Sequence, residues 1–363
     1  MTNVANNNAN NNANNGGARG LPTLRDVAAR AGVSLATASC ALGQGRRGVS
    51  DAKRLRVERA AAEIGYELRP RGRRRTRPLT IGVVVPDVTN SFFGAVVGAL
   101  DEALRREGHR ILLAPSGEDA QLEDELVAAL SPRIDALAIT PAGEISPATH
   151  ALARRGLPVV VMDRDAGGQY PCVVMDNCES ARRATMVLVE AGFERIALVN
   201  GPARVSTARE RTEGYLAALA AGGLPRDESR MYTGEFTYDE GRRAVAWLLR
   251  AERRPDAIFS TSAILTSGVL MGLRERGLAW PDDLAVVGFG DGIFASLVEP
   301  AVTVVEQPTA EMGQTVARML ISKAALAEAG RVVLSSKLVL RDSHWRGRRD
   351  REARPGPRAM VVR

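Results

Sequence analysis

From Thr80 onward, short apolar runs alternate with longer amphipathic stretches for roughly 250 residues, and few folds accept that pattern. The runs at 81–85, 111–114, 136–140, 159–162, 173–175, 196–199, 257–260 and 285–289 read as strands buried on both faces. Helical stretches near 92–107, 119–130, 147–155, 179–191, 206–221, 238–251, 264–276 and 309–328 separate most of them. Strand–helix alternation of this kind produces parallel sheets covered by helices, an α/β class. The array is too long for one small doubly wound sheet. Two sheet lobes around a cleft, or a barrel, satisfy it, and in either the ligands sit at the carboxyl ends of strands.

Composition narrows the function. The 363 residues are 45% hydrophobic and 25% charged, enough for a large core and against wholesale disorder. Three cysteines (Cys40, Cys172, Cys178) exclude a disulfide scaffold, and no C-x-x-C pair offers a zinc site. No apolar run approaches the ~20 residues of a membrane span, so no membrane partner is expected. The start is asparagine-rich, with neither a basic n-region nor an apolar h-region, which predicts a soluble cytoplasmic protein without a secretory signal.

The net charge of +7 is unevenly spread. Residues 21–79 hold 14 Arg and Lys against 5 Asp and Glu, or +9; residues 337–363 hold 9 against 3, or +6; the stretch 80–336 carries −9. A basic head on an acidic body predicts a polyanionic partner for the head. Residues 1–20 are low-complexity and read as a disordered tail, as do the basic residues 341–363. Residues 67–79 (ELRPRGRRRTRPL) break periodicity and read as an arginine-rich linker.

Residues 21–66 read as three short helices. Thr23 can cap a helix whose apolar face is Leu24, Val27, Ala28 and Ala31. Gly32 suits the left-handed residue of a tight turn, Val33 points inward, and Ser34 caps a second helix through Leu42. Ser50 caps a third, with Leu55, Val57, Ala61 and Ile64 as its core and Gly65 at its end. This is the pattern of a helix-turn-helix with a supporting helix, although an ordinary small bundle shares the periodicity.

The residue strings are more specific than the periodicity. TLRDVAARAGVSLATAS (23–39) with IGY (64–66) resembles the DNA-binding head of the LacI/GalR family. The resemblance continues through IGVVVPDVTNSFF (81–93), DALAITP (135–141), PVVVMDR (158–164), RIALVNGP (195–202), STARERTEGY (206–215), LAVVGFGD (284–291) and VTVVEQP (302–308). It implies a helix-turn-helix head at 21–66, a hinge at 67–79 and a two-lobed periplasmic-binding-protein-like core at 80–340 that dimerises and binds a small effector. The implied function is a dimeric repressor on a pseudo-palindromic double-stranded operator, its DNA affinity set by a sugar- or nucleoside-like effector. An architectural DNA-binding protein with a ligandless core, or a pure small-molecule binding protein, are the alternatives. The tail lacks leucine heptads for a tetramerising coil, so a homodimer is expected.

The resemblance also places residues. Leu35, Ala36 and Cys40 fall where base-reading residues sit; Ser34, Thr37 and Ser39 hydrogen-bond phosphates or hold the helix, and Thr23 is a further DNA-contact candidate. Cys40-Ala41-Leu42-Gly43 departs from the usual Arg-Val-Leu-Asn, which predicts readout by methyl contact rather than hydrogen bonds. The other readings of Cys40 are a small semi-buried side chain and, less favoured, a redox switch. In the linker Arg69, Arg71, Arg73, Arg74 and Arg75 replace a hinge helix whose leucine enters the minor groove; they serve as phosphate or minor-groove contacts, or as a charged spacer.

In the core, Asn90, Phe92 and Phe93 follow the first strand, with one phenylalanine expected in the cleft and one in the core. Asp163, Arg211 and Phe236 match effector-contacting positions, and Asp163 with Arg211 also suits a structural ion pair. Ser262-Ala263 stands where Asn-Asp is usual, and Gly290-Asp291 where Asp-Asp is, leaving Ser262 and Asp291 as the remaining candidates. No catalytic residue, metal site or cofactor is expected: the three histidines are far apart, and no nucleophile elbow or phosphate-binding loop follows a strand.

Overall fold

The computed structural model describes residues 23–42, 49–64, 77–165, 167–328, 330–345 and 360–362. Two compact units divide at Thr76 and Arg77. The expected Asn-rich tail and the arginines at 69, 71, 73, 74 and 75 lie outside the described residues.

The first unit holds three helices, α1 (Leu24–Ala31), α2 (Leu35–Leu42) and α3 (Asp51–Glu63). Thr23 and Asp26 form a reciprocal capping box, and Gly32 adopts φ 63°, returning its N–H to the carbonyls of Ala28 and Ala29. Val27, Ala28, Ala31, Ala38, Ala41, Val57, Ala60 and Ala61 make a core mostly of alanine, which lets the helices approach closely. Two expectations fail at α3. Ser50 stands at the cap position but its side chain makes no capping bond. Leu55 is exposed rather than buried, because Val57, Ala60 and Ala61 already fill the inward face.

The second unit has two lobes, so the barrel is excluded. The first lobe is a six-stranded, wholly parallel sheet in the order β11-β5-β4-β3-β1-β2. Its strands are β1 (Thr80–Val85), β2 (Arg110–Pro115), β3 (Ala136–Ile139), β4 (Val159–Met162), β5 (Cys172–Met175) and β11 (Arg331–Leu334). The second is a seven-stranded sheet ordered β13-β12-β10-β9-β8-β6-β7. It comprises β6 (Ile196–Asn200), β7 (Met231–Thr233), β8 (Ala257–Ser260), β9 (Ala285–Phe289), β10 (Thr303–Glu306), β12 (Lys337–Leu340) and β13 (Met360–Val362). Only β12 and β13 run antiparallel to their neighbours. β1, β3 to β6, β8 and β9 are apolar and buried along nearly their whole length, as strands covered on both faces must be.

Three chain crossings join the lobes. β5 leads into α7 (Asn177–Glu190), β10 into α12 (Thr309–Ile321), and β11 into β12. Asp176, in the first crossing, accepts from the Ser336 N–H (3.0 Å) of the third and from the Ser180 hydroxyl (2.6 Å). Arg183 reaches Asp176 (3.3 Å) and donates to the Ser336 hydroxyl (2.8 Å) and carbonyl (3.2 Å). Gln307 in the second crossing donates to the Met175 sulfur (3.5 Å).

Two further expectations are corrected. The stretch 309–328 is not one helix: Ser322 is extended (φ −119°, ψ 110°) and its hydroxyl accepts from Ala325 N–H, starting α13 (Lys323–Glu328). The end of the chain is not wholly a disordered tail. Ser343 and His344 are buried, the Ser343 hydroxyl receives the Thr303 N–H (2.8 Å), and residues 360–362 pair with β12.

Helix pairs in the second lobe touch backbone to backbone. A Cβ on Gly268 of α10 (Ala263–Arg274) would lie 2.1 Å from the Tyr238 carbonyl, and one on Gly241 of α9 (Tyr238–Leu248) 2.2 Å from that of Leu265. The Gly268→Ala variant must push these helices apart. Its cost of about 1–3 kcal/mol should lower Tm by roughly 3–8 °C in a thermal melt.

Candidate functional site

In the head, packing of Ala38 and Ala41 leaves the opposite face of α2 to solvent. Leu35, Ala36 and Cys40 are exposed there and Ser39 is half-buried; Cys40 is thus not the semi-buried side chain expected of it, because Ala38 and Ala41 take the inward face. That face carries no charged group. Ser34 and Thr37 do not project freely: their hydroxyls bond to one another (2.8 Å), and Ser34 Oγ accepts from the Thr37 N–H (3.1 Å). The Thr23 hydroxyl is likewise engaged by Asp26 (2.7 Å), whose carboxyl that bond holds below its ordinary range. Thr23, Ser34 and Thr37 thus shape helix starts, whatever else they contact.

In the core, a cavity of about 730 Å³ opens at the carboxyl ends of strands from both lobes. Asn90 caps α4 (Ser91–Arg106) through Oδ1, which accepts from the Phe92 N–H (3.1 Å), and so places Phe92 and Phe93 in the first turn. Their rings meet edge-to-face at 5.0 Å; Phe93 is buried in the core cluster and Phe92 only partly, though both reach the cavity. Ser262 caps α10, accepting from Leu265 N–H (3.3 Å), with its neighbour Ala263 at the wall. Phe236 lies flat enough on Gly201 that a Cβ there would fall 2.1 Å from its ring.

Asp163 ends β4 with φ 67°, a left-handed backbone that a non-glycine residue adopts only when its surroundings impose it. It is 5% exposed, and Oδ1 has no hydrogen-bond partner. Burial pushes its carboxyl above the ordinary range, against the opposing fields of Arg164 and Arg211. Arg211 lies on α8 (Ser206–Ala221), one turn from Thr207, which also lines the cavity. Its Nε donates to Asn177 (3.0 Å), its Nη1 to the Thr261 carbonyl (2.7 Å), and its guanidinium stacks 4.0 Å from the Phe289 ring centre. Burial pushes its pKa down to about 10. The structural ion pair between Asp163 and Arg211 is not formed; the cation nearest Asp163 is Arg164, at 3.8 Å.

Seven of the eight expected core residues therefore meet at one cavity: Asn90, Phe92, Phe93, Asp163, Arg211, Phe236 and Ser262. Asp291 does not. Its carboxylate is bound by Arg341 (2.9 and 2.8 Å), a residue assigned from sequence to the basic tail. Sequence reading missed Arg164, adjacent to Asp163, which grips Glu118 through two bonds (2.7 and 2.6 Å) and the Pro141 carbonyl (2.8 Å). It also missed Gln307 and the Arg204–Glu235 pair (2.9 and 2.6 Å). Arg164 and Gln307 stand inside quoted strings and were within reach, but no spacing joins residues 204 and 235.

Behind the wall, Glu123 on α5 (Ala120–Leu130) is fully buried and accepts from the Ala142 N–H (2.7 Å). Burial pushes its carboxyl up to about 7, although that hydrogen bond and Arg164 oppose it. An unfolded glutamate titrates near 4.5, so the native chain holds an extra proton between there and about 7. Stability contributed by this group falls as pH rises through that window. Glu123→Gln removes the titration. Melts at pH 5 and pH 8 should show the variant gaining on the parent at the higher pH; parallel curves would contradict it.

A head whose second helix has an open face, and a cleft with a buried carboxylate that keeps one oxygen unbonded, are the parts of a ligand-binding DNA-binding protein. The sequence profile described as periplasmic binding proteins and sugar binding domain of LacI family matches residues 78–342, and that of bacterial regulatory proteins, lacI family, matches residues 23–67. The transcriptional regulator CelR of Thermobifida fusca is 34% identical over 337 residues, 89% of this chain and 98% of its own. The transcriptional repressor CytR of Escherichia coli K12 is 30% identical over 329 residues, 88% and 96% respectively. A solved CelR–cellobiose complex has a TM-score of 0.67, with 89% of this chain and 99% of that one aligned. The chain belongs to the LacI family of DNA-binding transcriptional regulators. These relatives are regulators rather than enzymes, and no helix among the described residues is long and apolar enough to cross a membrane.

Proposed function

We propose that this regulator is a cytoplasmic repressor that binds a pseudo-palindromic operator as a homodimer and takes a neutral, hydroxyl-rich effector, a sugar or a nucleoside, between its lobes. The observation that carries the effector is Asp163: a buried carboxylate with an unpartnered oxygen, in a cavity shared with Arg211 and bordered by Phe236. A buried polar atom is costly unless bonded, and a ligand hydroxyl is the donor it lacks. Phe92 and Phe236 supply the apolar faces on which a ring packs. The relatives agree in kind: CelR was solved with cellobiose, and an Enterococcus faecium LacI-family regulator, 26% identical with a TM-score of 0.67, with ribose.

Thermal melts against a panel of neutral sugars and nucleosides should find ligands that raise Tm and shift operator affinity. Asp163→Ala should weaken that binding by about tenfold to a hundredfold, the loss of one charge-assisted hydrogen bond, while operator binding without ligand persists. A panel that moves neither Tm nor DNA affinity would instead mean a ligandless core.

On the head, Leu35, Ala36 and Cys40 are the base-facing group of this proposal, with Ser39 beside them. The arginines at 69, 71, 73, 74 and 75 add phosphate contacts, each steepening the salt dependence of operator affinity by a slope of about −0.9.

Dimerisation is supported by exposed apolar side chains on the core. Leu112 and Leu113 stand open on the edge strand β2, and Ile293 and Leu297 of α11 (Ile293–Leu297) are 79% and 76% exposed. A second chain that covered them would bury this apolar surface, and that burial favours association. Ile293→Glu with Leu297→Glu should shift the protein toward monomers in sedimentation, without lowering its α-helical content. A double variant that sediments as the parent does would place the interface elsewhere.

A further inference from the structure

The core contains a second cavity, about 640 Å³, which shares only Arg164 and Arg204 with the first. It lies between the loops that follow β3 and β4 in the first lobe and the start of α8 in the second. The first cavity carries three phenylalanines beside Arg164, Arg204 and Arg211; this one has no phenylalanine in its lining and carries Arg164, Arg204 and Arg209.

Its charges are not balanced from within. Of its two carboxylates, Asp165 is held by Arg331 (2.9 Å) and by the Gly167 N–H (3.0 Å), and Glu144 is exposed to solvent. Arg164 and Arg204 are paired with Glu118 and Glu235, both of which belong to the other cavity. Arg209 has no carboxylate at ion-pair distance among the described residues. Its Nη1 donates to the carbonyls of Ala203 (2.9 Å) and Arg204 (3.0 Å), which fixes the guanidinium beside the loop.

The helix start adds to this. α8 is 16 residues long and its N-cap is Val205, which offers no side-chain acceptor to the first turn. Ser206 Oγ is buried and has no hydrogen-bond partner. A guanidinium with no carboxylate partner, an uncapped helix start and an unbonded hydroxyl meet in one concavity, walled by the nine-tenths buried Arg164, whose Nε is also unbonded.

We propose that this second cavity is a subsite for a phosphate group, adjoining the effector cavity. Its donors come from both lobes, so a bound phosphate ties one lobe to the other. The proposal deepens the effector reading by assigning the neutral ring and the anion to separate cavities. The phosphate arrives either on the effector or as free inorganic phosphate.

The test titrates inorganic phosphate, glucose and glucose 6-phosphate separately into the full chain, at an ionic strength held constant with chloride, and reads Tm and calorimetric affinity. Phosphate should raise the Tm of the parent. Arg209→Gln should weaken phosphate binding by about tenfold, with Arg209→Lys intermediate, and leave any response to neutral sugars unchanged. Glucose 6-phosphate binding tighter than both glucose and phosphate would show the group arriving on the effector. Phosphate binding with no gain from the linkage would show a free anion. No response to either phosphate compound at matched ionic strength, or an Arg209→Gln protein that responds as the parent does, would overturn the proposal. The neutral-sugar panel with Asp163→Ala reads the first cavity alone, so failure of one assignment is separable from failure of the other.

Discussion

Asp176 holds together the place where the two lobes meet. Its carboxylate bonds one chain crossing to another, through Ser336 and Ser180, and Arg183 closes the cluster from the side. Everything in the cleft depends on this. The two sheets have largely separate cores, with Met175 of β5 reaching into that of the second lobe, and their strands end at a common gap. The crossings are short and bonded to one another, so the lobes have few independent ways to move. A ligand that touches both lobes therefore acts on a nearly single coordinate.

The cleft concentrates what the rest of the fold avoids. Among the described residues, the two non-glycine residues with left-handed backbone, Glu118 and Asp163, both line the main cavity. Buried polar atoms without partners gather nearby: Asp163 Oδ1, Arg164 Nε, Thr140 Oγ1 and Glu123 Oε1. Elsewhere the sheets are apolar and closely packed. Strain and unspent hydrogen-bonding capacity of this sort persist only where the surrounding structure over-determines them, and they are what a ligand can relieve.

Much of this was legible in the sequence, and the misses have physical causes. Uninterrupted apolar runs marked β1, β3 to β6, β8 and β9 to within a residue or so, because strands buried on both faces tolerate no polar break; the run at 111–114 also marked β2, but as an edge strand it is mostly exposed rather than buried on both faces. β7 is three residues long, and β11 and β12 follow one another with no helix between them, so neither alternation nor length announces them. Asp163 and Arg211 could be placed from their strings. Asp291 could not: its fate was decided by Arg341, fifty residues on, and a pairing at that range leaves no trace in local pattern. The same holds for Leu55, which helical spacing turns inward but the alanines around Val57 displace.

The order in which the chain is threaded has a consequence for how it is made. The first lobe is not a continuous stretch of sequence: its core cluster includes Met312, Val316, Leu320 and Leu334, beside Val96, Leu100 and Leu104 of α4. On the ribosome, residues 80–175 emerge first, and the whole of 177–306 must follow before α12 and β11 arrive. Until then the nascent first lobe lacks one covering helix and one edge strand. The second lobe can assemble most of its sheet while the earlier one waits, so the half synthesised first is the half completed late. During that interval the apolar face that α12 will cover stays open to water, the kind of exposed surface that makes incomplete folds prone to aggregate.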